Sequence, residues 1–169
     1  MSTGILEAPR RLARGDARSE FRSGAEELDD WLHRFAWQNQ KADNAVTYVT
    51  VLDGQVLGYY ALATACIART DAPTRIAKQA PREVPCILLA RLAVDRRAQG
   101  LGIGAALLRD ALARSLEVSE IVGARALLIH CRDEAARSFY LANGDFAPSP
   151  VDDMQLLLPM KAIRNLPTG

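Results

Sequence analysis

Apolar residues in the first half of the chain follow the two spacings that distinguish strands from helices. Two runs rich in Val, Thr and Tyr, Ala45–Leu52 and Val56–Ala65, predict strands, and the Asp53-Gly54 pair between them predicts a hairpin turn. The segment Ile5–Leu12 is a weaker candidate for a first strand, because it contains a proline and arginines.

A helical pattern precedes this hairpin. Ser23 and Glu26 have the spacing of a capping box, which predicts that a helix begins at Ser23. The polar segment Gln38–Asn44 is expected to end it. Apolar residues at i, i+3, i+4 and i+7 predict a core-facing stripe: Leu28, Trp31, Leu32 and Phe35.

The second half of the chain is organised around a strand, a glycine-rich turn and a helix. The run Ile87–Val94 predicts the strand, and a short polar turn leads from it to Gly100, Gly102 and Gly104. Apolar positions at helical spacing follow directly. They are Leu107, Leu108, Ala111, Leu112 and the small Ser115.

Further elements follow on both sides of this unit. The segment Ala124–Ile129 predicts a strand, Asp133 is expected to cap a helix that ends at Gly144, and Met154–Met160 predicts the last strand. The preceding Arg69–Pro85 reads as a loop or a short helix. We therefore predict an α/β fold with about six or seven strands and about four helices, forming a single domain over residues 1–169.

The glycine-rich turn is a candidate phosphate site. Amides at the start of a helix lack intrahelical partners and lie at the positive end of the macrodipole, and glycines let a ligand approach the backbone. The G-x-G-x-G spacing differs from the Rossmann fingerprint, and no Gly-Lys-Ser/Thr follows as in a Walker A motif. The alternative is a tight turn without a ligand.

Composition narrows the class of protein. The 169 residues are 49% apolar and 24% charged, which is ordinary for a globular protein, and no apolar run approaches a membrane span of about 20 residues. No secretory signal pattern is visible at the N-terminus. Three cysteines without a C-x-x-C pair argue against a disulfide framework or a zinc site, so we expect no metal and a cytoplasmic location.

The net charge is only +1, but its distribution is uneven. From Arg69 to Arg97 seven basic residues face three acidic ones. A solvated surface and a surface for an anionic substrate both fit this excess. The candidate phosphate contacts are Arg75, Lys78, Arg91, Arg96 and Arg97.

Two motifs give the chain a family resemblance. Gln99-x-x-Gly102-x-Gly104 resembles the acetyl-CoA motif Q/R-x-x-G-x-G/A of the GNAT (GCN5-related N-acetyltransferase) family, and Ser138–Gly144 resembles its A-x-x-F-Y-x-x-x-G-F segment, although Asp145 separates the glycine from Phe146. The resemblance implies the GNAT fold with a mixed central sheet. It also implies that Leu92, Ala93 and Val94 pair with the pantetheine arm of acetyl-CoA. The amides around its pyrophosphate would be those of Gln99, Gly100, Leu101, Gly102, Ile103, Gly104 and Ala105.

The same resemblance implies a catalytic role for Tyr140. In many GNAT enzymes the corresponding tyrosine lies near the CoA sulfur, and a tyrosine with an ordinary pKa of about 10 keeps its proton at neutral pH. Its hydroxyl could then protonate the departing thiolate as a general acid. The alternative is that Tyr140 only packs in the core. We assign no role to His33, His130 or Cys131.

A narrower resemblance covers nearly the whole chain. Segments such as Gly58–Leu62 and Leu89–Asp95 are similar to those of the GNAT toxins of bacterial toxin–antitoxin modules. That likeness implies acetylation of the amino group of aminoacyl-tRNA, a ribbon-helix-helix antitoxin as partner, a homodimer and no membrane. The alternatives are a GNAT enzyme that acetylates a protein or small-molecule amine, and a non-catalytic acetyl-CoA-binding regulator.

Overall fold

The computed structural model of the chain describes residues 4–167. The strands are β1 (Arg10–Arg11), β2 (Val46–Leu52), β3 (Gln55–Ala68), β4 (Glu83–Val94), β5 (Ala126–His130), β6 (Ala147–Ser149) and β7 (Asp152–Pro159). The helices are α1 (Glu26–Asp30), α2 (Ala36–Lys41), α3 (Thr74–Ala77), α4 (Ile103–Val122), α5 (Glu134–Ala142) and α6 (Met160–Arg164). A π-helical turn, Trp31–Phe35, joins α1 to α2, and 3-10 turns cover Arg69–Asp71 and Arg96–Ala98.

The strands form a seven-stranded sheet in the order β1-β2-β3-β4-β5-β7-β6. The ladder between β4 and β5 is parallel, whereas β1–β2, β2–β3, β5–β7 and β6–β7 are antiparallel. The predicted α/β class and strand number are confirmed. More helices are described than the expected four, because the first predicted helix is divided into α1 and α2 and because the short helix α6 follows the last strand, where none was expected. None of the helices within residues 4–167 is long and apolar enough to cross a bilayer.

The chain divides into two compact units, which we describe separately. The first unit comprises the chain up to Ala63 together with Ala90–Ala111, and the second comprises Thr64–Leu89 and the chain from Leu112 onward. Both β4 and α4 therefore contribute to each unit.

The core of the first unit forms around the β2–β3 hairpin. Asp53 (φ 51°) and Gly54 (φ 78°) make its two-residue turn, as predicted. Of the weak first strand, Arg10 and Arg11 form the ladder with β2, and the amides of Glu7 and Leu12 on either side donate to the Val51 and Thr47 carbonyls of β2, both over 2.8 Å. The buried residues of this core are Leu12, Phe21, Leu32, Ala36, Val49, Val51, Val56, Tyr59 and Ala93.

Two predictions for the first helix are wrong. Ser23 is not a cap: α1 begins at Glu26, and the Ser23 hydroxyl instead donates to Oδ1 of the buried Asp29 over 2.7 Å. Phe35 is 42% exposed, whereas Leu32 and Ala36 are fully buried. The π-helical turn explains this, because its wider turn shifts the helical register and brings Ala36 to the core in place of Phe35.

The second unit has its own core, which is formed by residues of β3, β4, β5 and β7 together with α3 and its flanking segments. Its buried residues are Ile67, Ala72, Ile76, Ala80, Val84, Cys86, Ala126, Leu128 and Leu157. Asp133 caps α5, as predicted, by accepting a hydrogen bond from the Ala136 amide over 2.8 Å. The helix α5 ends at Ala142 with Asn143 as its C-cap residue, and Gly144 follows the cap without the positive φ of a left-handed glycine cap. A Cβ at Gly144 would lie 2.6 Å from Cε2 of Phe146, so glycine is required there by packing.

Candidate active site

The glycine-rich turn between β4 and α4 is exposed and has backbone conformations that favour glycine. Gly100 has a φ of 81° and Gly102 a φ of 80°, in the left-handed region that L side chains rarely adopt. A Cβ built on either residue meets no heavy atom within 4 Å. The space beside the turn is therefore open, and a ligand can approach the backbone at both positions.

The turn leads directly into α4, which begins at the buried Ile103. The Gly102 carbonyl accepts a hydrogen bond from the Ala106 amide over 3.1 Å. The first turn of α4, whose residues are all described, has no acidic side chain to occupy the positive end of the helix. Gly104 and Ala105 lie in this turn, so the predicted pyrophosphate segment is a helix N-terminus suited to an anion.

Asp95 holds the start of the turn in place. This residue is 1% exposed and its carboxylate accepts four hydrogen bonds. Oδ1 accepts from the backbone amide and Nε of Arg97, both at 2.8 Å, and Oδ2 accepts from the Arg22 amide at 3.0 Å and Nη2 of Arg97 at 3.1 Å. Burial by itself would raise the pKa of Asp95, but these hydrogen bonds outweigh it and lower the pKa.

The side chain of Gln99 also supports the turn. Its Nε2 donates to the carbonyl of Ser23 over 2.8 Å and to the carbonyl of Val94 over 2.9 Å. These bonds connect the end of β4 with the segment before α1. Leu101, at the tip, is 73% exposed. In this arrangement the side chain of Gln99 fixes the turn, which leaves its predicted ligand contact to the backbone.

The predicted pantetheine strand is the last part of β4. The parallel ladder with β5 ends at the pair Leu89–Ile129, and β4 continues past it through Leu92 and Ala93 to Val94. Ala93 is buried, and its two neighbours are partly buried. This segment is in the same unit as the glycine-rich turn and runs directly into it, as the predicted acetyl-CoA site requires.

Tyr140 lies near the end of α5 in the second unit and is 7% exposed. Its ring meets those of Phe139 and Phe146 edge-on, with centroid distances of 5.2 and 6.2 Å. Burial, followed by the nearby Cys131, raises the pKa of Tyr140 above its ordinary value. The hydroxyl therefore keeps its proton at neutral pH, as a general acid must.

Comparison with known proteins decides the family. The model of the Acetyltransferase (GNAT) family matches residues 11–144. The chain belongs to the GNAT family.

Within this family the similarity to toxins is extensive. A protein named tRNA-acetylating toxin from Mycobacterium tuberculosis (strain ATCC 25618 / H37Rv) is 45% identical over 159 residues, which cover 94% of this chain and 95% of the relative. A structure of AtaT complexed with acetyl-methionyl-tRNAfMet has a TM-score of 0.87 at 28% identity and covers 95% of this chain and 98% of that one.

A second structure contains both a partner and acetyl-CoA. It is a tyrosine-to-phenylalanine mutant of the AtaT toxin bound to the C-terminus of the antitoxin AtaR and to acetyl-CoA, with a TM-score of 0.80 at 27% identity. It covers 94% of this chain and 96% of that one. The predicted GNAT fold and the predicted likeness to GNAT toxins are confirmed.

The five basic residues predicted to contact phosphates are divided between the two units of this GNAT chain. Arg75 and Lys78 are exposed in the second unit, and Arg75 donates to the Asp145 carbonyl over 2.8 Å. The other three belong to the first unit. Arg91 lies 4.7 Å from the centre of the Trp31 ring, Arg96 is exposed beside Gly24, and Arg97 binds Asp95 and Gln55.

Asp95 supports the candidate site through its hydrogen bonds, but the sequence patterns assigned it no role. It began the polar turn and ended the toxin-like segment Leu89–Asp95 without a role of its own, although an aspartate at the end of an apolar strand can accept backbone amides of the following turn. The position of Asp95 directly after the strand could therefore have predicted its bond to the Arg97 amide. Its bond from the Arg22 amide, 73 residues earlier in the chain, could not be predicted from neighbouring residues.

The groups to which the sequence assigned no role are His33, His130 and Cys131. Nε2 of His33 lies 3.0 Å from the Phe21 carbonyl, and His130 is exposed at the end of β5. Burial raises the pKa of Cys131, which opposes thiolate formation. Within residues 4–167 there is no group of three or more His, Cys, Asp or Glu side chains that could hold a metal ion.

Proposed function

We propose that this chain is an acetyl-CoA-dependent N-acetyltransferase that acetylates the amino group of aminoacyl-tRNA and thereby inhibits translation, as the toxin of a toxin–antitoxin module. The observation that carries the proposal is the glycine-rich turn, whose open backbone at Gly100 and Gly102 runs into a helix N-terminus without acidic side chains. The 45% identity to a tRNA-acetylating toxin over nearly the whole chain supports the choice of substrate.

The chain's own residues have two roles in this reaction. The braced turn and the end of β4 hold the pyrophosphate and pantetheine of acetyl-CoA, which contributes a reactive thioester when it is bound. The α-amine of the aminoacyl group has an ordinary pKa of about 7.7–8.0, so part of it is neutral near pH 7 and can form the new C–N bond without a strong protein base.

Tyr140 completes the transfer. As the C–S bond breaks, the departing thiolate takes the proton of the tyrosine hydroxyl, which acts as general acid. The phenolate then regains the proton that the amine nitrogen releases when it becomes an amide. The raised pKa keeps this hydroxyl protonated over the pH range in which the substrate amine is reactive. A tyrosine-to-phenylalanine mutant of AtaT still binds acetyl-CoA in its structure. This supports the expectation that Tyr140→Phe leaves the acetyl-CoA site of this chain intact.

The test is single-turnover transfer of a labelled acetyl group from acetyl-CoA to charged tRNA. Tyr140→Phe should slow transfer by about 10²–10⁴-fold, the usual contribution of a general acid, while acetyl-CoA affinity is unchanged. The control is Tyr59→Phe, which removes another buried tyrosine oxygen, one that donates to the Leu28 carbonyl over 2.7 Å. This control should lower stability and leave the rate of transfer unchanged.

Each other outcome points to a different function. Equal rates for wild type and Tyr140→Phe would leave Tyr140 a packing residue. Transfer to peptides or small amines but not to charged tRNA would identify a GNAT enzyme with another substrate. Acetyl-CoA binding without transfer to any amine would identify a non-catalytic regulator.

The partners of the enzyme belong to the same proposal. We infer an antitoxin partner, because AtaT is bound to the C-terminus of the antitoxin AtaR in a similar structure. The ribbon-helix-helix class of that antitoxin, a homodimeric enzyme, a cytoplasmic location and a single GNAT domain over residues 1–169 remain predictions from the sequence. Light scattering of the purified protein, alone and with the product of a neighbouring gene, tests the homodimer and the antitoxin complex, and a structure of that partner tests its ribbon-helix-helix class.

A further inference from the structure

A basic pocket lies in the second unit, and none of the residues that line it is among those assigned above to acetyl-CoA. Its volume is about 590 Å³. Four basic side chains from three separated parts of the sequence line it, namely Arg75, Arg125, Lys161 and Arg164. The other lining residues are Asn165 and five uncharged residues of α3, α6 and the segments beside β5 and β7, so no acidic residue lines it. We call this site the basic pocket.

Arg125 is held rigidly at the pocket wall. Its Nη2 donates to the carbonyls of Ile76 (2.9 Å) and Lys78 (3.1 Å), and its own carbonyl accepts from the Met160 amide over 2.9 Å. Carbonyl oxygens fix the orientation of a guanidinium without neutralising its charge. The pocket therefore presents a preorganised cation, which reduces the ordering cost of binding an anion.

The other three cations are exposed and only weakly neutralised. Lys161 has no ion-pair partner within residues 4–167. Arg164 lies 3.9 Å from Glu120, and both side chains are more than half exposed. The carboxylate that pairs with Arg75 is that of Asp145, at 3.4 Å, and is 89% exposed. Such pairs contribute little and can be exchanged for another anion at small cost.

We propose that the basic pocket binds backbone phosphates of the tRNA substrate. Four cations around 590 Å³ provide more charge and more space than one small anion needs, whereas successive phosphates of an RNA strand can use several cations together. Because the whole chain has a net charge of only +1, this density of positive charge is local. The pocket shares no residue with the acetyl-CoA turn and makes contact with the RNA part of the substrate; this assignment rests on the proposed function.

The test uses the two exposed cations, whose removal should leave the fold intact. Binding of deacylated tRNA to Lys161→Ala/Arg164→Ala and to wild type is measured by fluorescence anisotropy from low to physiological salt. Each phosphate contact contributes roughly 0.7–0.9 to the slope of log affinity against log salt, so two lost contacts should reduce that slope by about 1.4–1.8. The KM for charged tRNA should rise, while acetyl-CoA affinity and kcat stay as in wild type.

A matched variant controls for net charge. Arg14→Ala/Lys41→Ala removes two exposed cations from the first unit, neither of them in the pocket, and should keep the wild-type slope. An equal loss of slope in this control would overturn the proposal, because whole-chain charge would then explain the effect. An unchanged slope and KM in Lys161→Ala/Arg164→Ala would also overturn it, as would loss of inorganic phosphate binding with tRNA binding intact.

The measurement of tRNA binding does not depend on whether the protein transfers an acetyl group. If wild type acetylates no charged tRNA, the proposed function fails, yet the deacylated tRNA measurement still reports on the pocket. If wild type acetylates charged tRNA and the pocket variant binds tRNA with wild-type affinity, the function stands and the pocket assignment is wrong.

Discussion

Replacing Asp95 with asparagine should remove hydrogen bonds that hold the glycine-rich turn while leaving the glycines of the turn unchanged. Asparagine has the same shape but replaces one carboxylate oxygen with an NH2 group. That group would face two donors, either the Arg22 amide and Nη2 of Arg97 or the backbone amide and Nε of Arg97. The variant therefore loses bonds at a site that is 1% exposed.

The expected loss follows from how exposed each donor is. The Arg97 side chain is 49% exposed, so its guanidinium can be solvated and the ion pair itself contributes little. A partly buried backbone amide cannot be solvated as easily, and leaving it unsatisfied costs about 1–3 kcal/mol. We expect Asp95→Asn to lower the free energy of unfolding by about this amount at pH 7.

The pH dependence provides an independent check. The pKa of Asp95 is lowered in the folded protein, so its contribution to stability is fully present above the unfolded-state pKa of about 3.9 and is lost as the pH falls through the lower folded-state value. The stability gap between wild type and Asp95→Asn should therefore be constant at neutral pH and narrow below about pH 4. Urea unfolding at a series of pH values measures it.

The functional consequence is a weaker acetyl-CoA site. If the turn is no longer held, binding must order it again, and ordering one residue costs about 1–2 kcal/mol, or roughly 5- to 30-fold in affinity. Calorimetry with acetyl-CoA measures this change. Glu83→Gln, an exposed charge removal in β4, should change stability by less than about 0.5 kcal/mol and leave binding unaltered. Wild-type stability together with wild-type affinity in Asp95→Asn would refute the bracing argument.

Two further predictions concern glycines. Gly102→Asp should abolish acetyl-CoA binding in a folded protein, because a carboxylate beside the pyrophosphate repels it; Gly54→Asp, at a similar φ of 78° with equally open space, should bind normally in calorimetry. Gly144→Ala should destabilise the protein by about 1–3 kcal/mol in thermal unfolding, because its Cβ would lie 2.6 and 2.9 Å from atoms of the Phe146 ring. Normal acetyl-CoA affinity in the Gly102 variant, or an unchanged Tm in Gly144→Ala, would contradict the respective argument.

The features that the sequence determined are local. The Asp53-Gly54 turn follows from two residues that tolerate positive φ, and the α5 cap follows from an aspartate three residues before the amide that it accepts. The glycine-rich turn has the same character, because its glycines, the strand before it and the helix after it are contiguous. Such features need only interactions between near neighbours, so their residue patterns were sufficient to predict them.

Packing between distant segments decided the rest. Gln40 was expected to lie in a polar end of a helix, but it is buried because its side chain satisfies the Leu12 carbonyl and the Thr47 amide. Phe35 was expected in the core but is exposed, because a π-helical turn shifts the helical register, and the apolar spacing does not predict such a turn.

The basic pocket shows the same limit at a candidate functional site. Arg75 was selected within a charged stretch, whereas Arg125 and Lys161 stand alone in sequence and were not. These charges come together only because β5 and β7 pair and the short helices α3 and α6 line one cavity. A hydrogen bond or a charge cluster between such segments depends on the complete arrangement of the chain, which no spacing of residues along it encodes.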